Sequence, residues 1–440
     1  NLSQKPTRSS HFADIAISPN GERVAVVWPE GYQDGASPYG SLWLRWAAES
    51  SGSGWSSPLE VFAGSATSCT IHAAVAVTGS SAYTAHLAYI VQSPCSAPQQ
   101  QVLYHRVCPL RPGAACLAPS SPITAALVGT AWGLRSVDIA LDGQGNPHIV
   151  YVDYRPVQTG TVYYRWLSDG ILQPQERVSL IGQNCRNPAI AWTNGYVHVV
   201  WEDESIPEIR YARRTAPDPG GSWTSRRNMD TFGQPVQWPL RNPSLAVQGS
   251  RVVVVWERGY DCPTDIPTPP CTRFTLAYDK SDDDGVTWFK PSPNWREVAG
   301  TNLPFATDNR YASTDQQSWD YALYLRPTVA LDDNGWPAVA WHVNRGTLAS
   351  PDYDIYYTYA ISETATGFQW LSPTLLSRRI AGQSGSSALA ATGAATPTLH
   401  ATYLWRDNVT EWETFYDSNE SRDYPLIFLP LTLRNSGGGG

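Results

Sequence analysis

An all-β chain built from repeated four-stranded antiparallel sheets is what this sequence predicts, and three observations predict it. Charged residues make up only 16% of the 440 residues, whereas there are 19 Trp, 23 Tyr, 34 Gly and 35 Pro; such a composition suits short strands separated by many turns. The apolar stretches alternate with a period of two and show almost no helical period. A unit of two apolar strands joined by a tight turn recurs seven times along the chain.

The clearest copies are FADIAISPNGERVAVVW (12–28), SVDIALDGQGNPHIVYV (136–152), NPAIAWTNGYVHVVW (187–201), NPSLAVQGSRVVVVW (242–256) and PTVALDDNGWPAVAW (327–341), with further copies at 71–89 and 387–405. Each runs from a strand of small residues through a turn into a β-branched strand. Asn20-Gly21, Asn194-Gly195 and Asn334-Gly335 supply the positive φ angles that tight hairpins need. An aromatic third strand follows each pair, as in SLWLRWAA (41–48), TVYYRWL (161–167) and DIYYTYA (354–360), and then a weaker fourth segment. Four antiparallel strands repeated seven times point to a β-propeller of seven blades over residues 1–423, with six blades as the alternative. Small residues in the first strand fit the crowded axis where blades converge. A β-sandwich would not impose this fixed strand order on every unit.

The stretch SDDDGVTW follows the third strand of the fifth unit, with Ser281, Asp283, Gly285, Thr287 and Trp288 at regular spacing. A short acidic side chain there can accept amide hydrogen bonds from its own turn, glycine can take an unusual φ, and tryptophan can wedge between sheets. An EF-hand calcium loop needs a different ligand spacing, ending in Glu, so this motif predicts a brace. It resembles the Asp-box of the sialidase-type, or BNR, repeat, and eroded copies occur at 50–55, 215–223 and 362–370. The resemblance implies a propeller. It leaves the reaction open, because that superfamily includes sialidases, other glycoside hydrolases, sugar-binding proteins, assembly factors and sorting receptors.

In such a fold the starts of first strands and the ends of second strands meet on one face, opposite the Asp-box turns. Arg135, Arg186, Arg241 and Arg326 precede first strands there, and Asp153, Glu202, Glu257 and His342 follow second strands. Two readings of these residues stand side by side. The guanidiniums could grip a carboxylate or sugar hydroxyls while tryptophans stack on a pyranose, or they could pair with carboxylates of adjacent blades and hold the ring closed. Sialidase chemistry, as the resemblance implies it, needs three arginines, a tyrosine nucleophile polarised by glutamate and an aspartate acid/base. This sequence departs from that family in lacking its Phe-Arg-Ile-Pro signature and in having no arginine at the start of the first unit, which reads SHFADIA. Asp14 and Asp138, inside first strands, are the acid candidates for a glycosidase; the alternative is a hydrogen-bonded structural role.

Net charge is −8 and only Lys5, Lys280 and Lys290 are lysines, so no basic run tracks a nucleic acid. No Cys-x-x-Cys or clustered-histidine spacing implies a metal, and no motif implies a cofactor. Cys108 with Cys116, Cys262 with Cys271 and Cys69 with Cys95 are disulfide candidates, leaving Cys185 over; this usage fits an oxidising extracytoplasmic compartment. No apolar stretch is long enough for a transmembrane helix, and the start at Asn1 reads as that of a processed chain. Sequons lie at Asn1, Asn408 and Asn419. Residues 424–440 change to an apolar run and a glycine tail, in which Pro425 and Pro430 restrict strand pairing to an edge. That run is expected to complete the last blade or to add to a neighbouring subunit, making a homo-oligomer. The expected role is a secreted or cell-surface, non-catalytic binding and assembly module with a glycan or protein partner; the alternative is a sialidase-like glycoside hydrolase or a lectin.

Overall fold

The computed structural model describes residues 2, 13–31, 40–47, 54–127 (except 66 and 96–99), 136–154, 159–215, 221–230 (except 225), 240–261, 272–289, 296–298, 327–344, 353–364, 367–376, 383–392, 398–406 and 413–418. Every regular element among them is a β-strand. Sheet one contains β1 (Asp14–Ile17), β2 (Val24–Glu30), β3 (Ser41–Ala47) and β4 (Leu59–Phe62). Sheet two contains β5 (Cys69–Thr78), β6 (Thr84–Ser93), β7 (Gln100–Pro109) and β8 (Thr124–Leu127). In sheet three, β9 (Val137–Leu141), β10 (Pro147–Asp153) and β11 (Thr161–Ser168) are followed by the short β12 (Ile171–Leu172) and β13 (Glu176–Arg177), both paired with β11.

Sheet four is β14 (Cys185–Thr193), β15 (Tyr196–Asp203), β16 (Glu208–Thr215) and β17 (Arg227–Asn228). Sheet five is β18 (Leu240–Gln248), β19 (Arg251–Asp261), β20 (Thr272–Ser281) and β21 (Arg296–Glu297). Sheet six is β22 (Thr328–Leu331), β23 (Pro337–Asn344) and β24 (Tyr353–Thr364), with β25 (Gly367–Trp370) and β26 (Thr374–Leu375) both on β24. Sheet seven, as described, is β27 (Gln383–Thr392), β28 (Thr398–Arg406) and β29 (Glu413–Ser418). All strand pairings are antiparallel, and all but β11 with β13 and β24 with β26 join chain neighbours, as short hairpin turns permit. At Asn194-Gly195 both turn residues have positive φ, 48° and 79°, so two residues suffice to reverse the chain.

The second strands carry unbroken apolar runs because both of their faces are covered. β2 and β10 are buried at every position. Their cover comes from neighbouring sheets: β2 packs on β5, β6 on β9, β10 on β14, β15 on β18, β19 on β22 and β23 on β27, while the first strands β1, β5, β9, β14, β18, β22 and β27 each meet the next and β27 returns to β1. This circular succession excludes two stacked sheets of a sandwich. The apolar cores accordingly lie in the seams, such as Val150, Tyr164 and Trp166 of sheet three against Ile190, Val199 and Trp201 of sheet four. Trp28, Trp201 and Trp256 are 0% exposed and Trp341 is 1%, so these four tryptophans are core and cannot stack on a sugar. Trp201→Ala should therefore cost about 3–5 kcal/mol, read from urea unfolding.

Candidate functional site

The face where first strands begin is shaped by Arg-Asn-Pro, which occurs at 186–188 and 241–243. Proline cannot donate to a ladder and asparagine tolerates the left-handed region, so the register breaks between Arg186 and Ala189 and again between Arg241 and Ser244. The arginines lie inside β14 and β18, ahead of these bulges, and not before the strands. Asn187 and Asn242 adopt φ of 45° and 49°. From that position the Asn187 Nδ2 donates to Glu202 Oε2 at 3.1 Å and to Asn242 Oδ1, in the next sheet, at 3.1 Å. Asn242 repeats the pattern, donating from Nδ2 to Glu257 Oε2 at 3.1 Å and from its backbone N to Glu202 Oε2 at 3.3 Å. Ser136 Oγ accepts the Asn187 amide at 3.3 Å, which carries the chain of bonds back to sheet three.

Glu202 and Glu257 are 3% and 0% exposed. Burial pushes the Glu202 carboxyl up to about 7, opposed by the charge of Arg241. Arg186 pairs through Nε with Glu204 Oε2 at 2.8 Å. Asp153 ends β10 and is buried. Arg135 and Arg326 lie outside the described residues, and His342 is placed in β23 by its backbone alone. Tyr154 stands near this cluster, but its hydroxyl donates to the Cys185 carbonyl at 3.1 Å and burial pushes its pKa up, the opposite of what activates a nucleophile.

Asp14 and Asp138 hold neighbouring sheets together. Asp14 Oδ2 accepts the Val75 amide at 2.8 Å and Asp138 Oδ2 accepts the Ile190 amide at 2.8 Å, in each case on the next first strand. Ser244 does the same for Val329 at 3.0 Å. Burial raises the Asp14 carboxyl to about 6; burial and then the charge of Asp14 raise Asp138 to about 7.

On the opposite face, Asp283 Oδ1 accepts from Ser281 Oγ at 2.7 Å and from the Thr287 amide at 2.7 Å, and Oδ2 accepts from Thr287 Oγ1 at 2.6 Å. Burial opposes it, yet hydrogen bonds from Thr287 and Ser281 hold this carboxyl below its ordinary range. Trp288 Nε1 donates to the Gly285 carbonyl at 3.1 Å, and its ring meets Tyr211 of the preceding sheet edge-on at 4.7 Å. A shallow polar hollow of about 390 Å³ lies on this side between sheets five and six, where Arg251 crosses it to Asp282 and Glu363.

Disulfides join Cys69 to Cys95 and Cys108 to Cys116, and Cys185 is a buried free thiol. Cys262 and Cys271 lie outside the described residues. Among the described residues no three His, Cys, Asp or Glu side chains converge on a metal position, and no helix is long and apolar enough to cross a membrane.

The buried histidines follow the repeat. His148 and His198 hold equivalent places in second strands and bond through Nδ1 to Tyr164 at 2.5 Å and Tyr211 at 2.7 Å; His86, in the same place, meets His105 at 3.2 Å. The signal was present in AHLAY, PHIVY and VHVVW.

No protein-family model and no curated protein matches the chain. Solved structures with similar coordinates include the NanB sialidase of Streptococcus pneumoniae (12% identity, 95% of this chain and 68% of that one, TM-score 0.45). The α-L-arabinofuranosidase Arb93A of Fusarium graminearum matches at 11% identity over 79% of this chain and 92% of that one, TM-score 0.44. A subtype N10 neuraminidase-like protein of A/little yellow-shouldered bat/Guatemala/060/2010 matches at 10% identity over 93% of this chain and 92% of that one, TM-score 0.42. None of these likenesses extends a substrate or a reaction to this chain.

Gly285 has φ of 78°, and a Cβ there would lie 1.9 Å from the Tyr211 hydroxyl. Gly285→Ala should destabilise by about 2 kcal/mol or more, measured from urea midpoints. A carboxyl raised on folding binds its proton more tightly in the native state, so its contribution is present at low pH and fades as pH rises towards 7. Asp138→Asn keeps the acceptor for Ile190 and abolishes the titration. Its stability relative to the native chain should therefore rise by roughly 1 kcal/mol or more between pH 5 and pH 8, and parallel pH profiles would show that Asp138 is ionised throughout.

Proposed function

We propose that the chain is a seven-bladed propeller that works outside the cell as a non-catalytic binding and assembly module, with its arginine-bearing mouth facing a glycan or protein partner. One observation carries the reading: among the described residues, the four strongest candidates for acid, base or nucleophile each hold a structural hydrogen bond. Asp14 and Asp138 bind amides of adjoining sheets, Tyr154 binds a carbonyl, and Glu202 is bridged to two asparagines. Two disulfides accord with an oxidising compartment. Assembly into a homo-oligomer through residues 424–440 belongs to the same reading.

A carbohydrate-directed mouth is the second reading, favoured by the grouping of Arg186, Arg241, Glu202 and Tyr154 within sheets three to five. Incubation of the intact protein with a panel of acidic and neutral oligosaccharides distinguishes the two. No released sugar is expected. Turnover that disappears in Glu202→Gln would establish a glycoside hydrolase instead.

A further inference from the structure

Leu180, Ile181 and Ile206 are exposed at 46%, 85% and 51%. They sit on two loops of the mouth face, the approach to β14 and the connection from β15 to β16. The loops are fastened to each other. The Leu180 amide donates to Gln183 Oε1 at 2.8 Å, Gln183 Nε2 donates to Asp203 Oδ2 at 2.5 Å, and the Glu204 amide donates to the Asn184 carbonyl at 2.8 Å. Asn184 Nδ2 adds a bond to Glu204 Oε2 at 2.9 Å. Three aliphatic side chains held out on such a braced frame form a preorganised contact that loses little entropy on binding. Sugars stack on flat rings, which this platform lacks, so its complement is an apolar peptide.

The chain itself contains one. Residues 425–433, PLIFLPLTL, carry no charge and are framed by Asp423 and Arg434. The platform is bordered by the Arg186–Glu204 ion pair, 34% and 25% exposed, which sets one charge of each sign beside the place where the flanks Asp423 and Arg434 arrive. Pro425 and Pro430 interrupt ladder bonding, so such a segment engages chiefly through its side chains. Its origin is at sheet seven, which neighbours sheets six and one, whereas the platform spans sheets three and four across the ring. We propose that residues 425–433 of one copy dock on the Leu180–Ile181–Ile206 platform of a second copy. This inference rests on the assembly reading above and gives it a contact: tail and platform are different parts of the chain, so the contact is heterologous and propagates from copy to copy into an open chain or a closed ring of subunits.

The experiment uses three full-length proteins: native, a platform variant (Ile181→Asp with Ile206→Asp) and a tail variant (Phe428→Asp with Leu431→Asp). Light scattering should show native polymers and two monomeric variants. An equimolar mixture of the variants should form a complex of one copy of each, because one retains the tail and the other the platform. Unchanged thermal midpoints in the variants separate lost docking from lost folding. Native polymers that persist in the platform variant, or a mixture that stays monomeric, overturn this docking site while leaving assembly standing. A monomeric native protein overturns both.

Discussion

Ring closure is the constraint on which the molecule depends: β27 must meet β1. Each sheet has two apolar faces and can bury neither by folding on itself, so its stability is supplied by the sheet before and the sheet after. The contact of Ala390 with the cluster of Val24, Val26 and Trp28 joins the last sheet to the first. A missing seam would expose two faces at once. Burial in seams also explains why the second strands read as continuous apolar runs, although antiparallel strands with one wet face usually alternate.

The closure shows where the polar chemistry went. First strands have no ladder partner on their axial side, and there a side chain from the preceding sheet accepts the amide hydrogen bond. Asp14, Asp138 and Ser244 perform this task in sheets one, three and five. A serine doing the same work as two aspartates argues that the acceptor oxygen matters and the charge does not. Deep placement then favours the protonated carboxyls, which is why Asp14 and Asp138 titrate so far above free aspartate.

The two faces of the ring differ in kind. On the side of the Ser281–Trp288 turn the bonds are short-range and close the turn: Asp283 grips its own corner, and Trp288 transmits that corner to Tyr211 of the neighbouring sheet. On the mouth side the bonds run from sheet to sheet through Asn187, Glu202 and Asn242, and the exposed remainder is partly charged and partly aliphatic.

Much of the architecture was legible in the chain because it is local. Repetition of a small-residue strand, a turn and a β-branched strand reports hairpins whose partners are a few residues apart, and Asn194-Gly195 announces its own geometry through the φ angles that only certain residues adopt cheaply. The turn from Ser281 to Trp288 was legible for the same reason, as the bonds that Ser281 and Asp283 make within it span four residues or fewer. What only the tertiary structure decided is anything that joins one sheet to another. The role of Asp138 is fixed by an amide 52 positions away, the bridge from Asn187 to Asn242 spans 55, and the four core tryptophans look like sugar platforms until a neighbouring sheet covers them. Sequence determines hairpins because their free energy depends on nearest neighbours; the fate of a charge or an aromatic ring depends on which distant backbone excludes water from it, and that is settled when the ring closes.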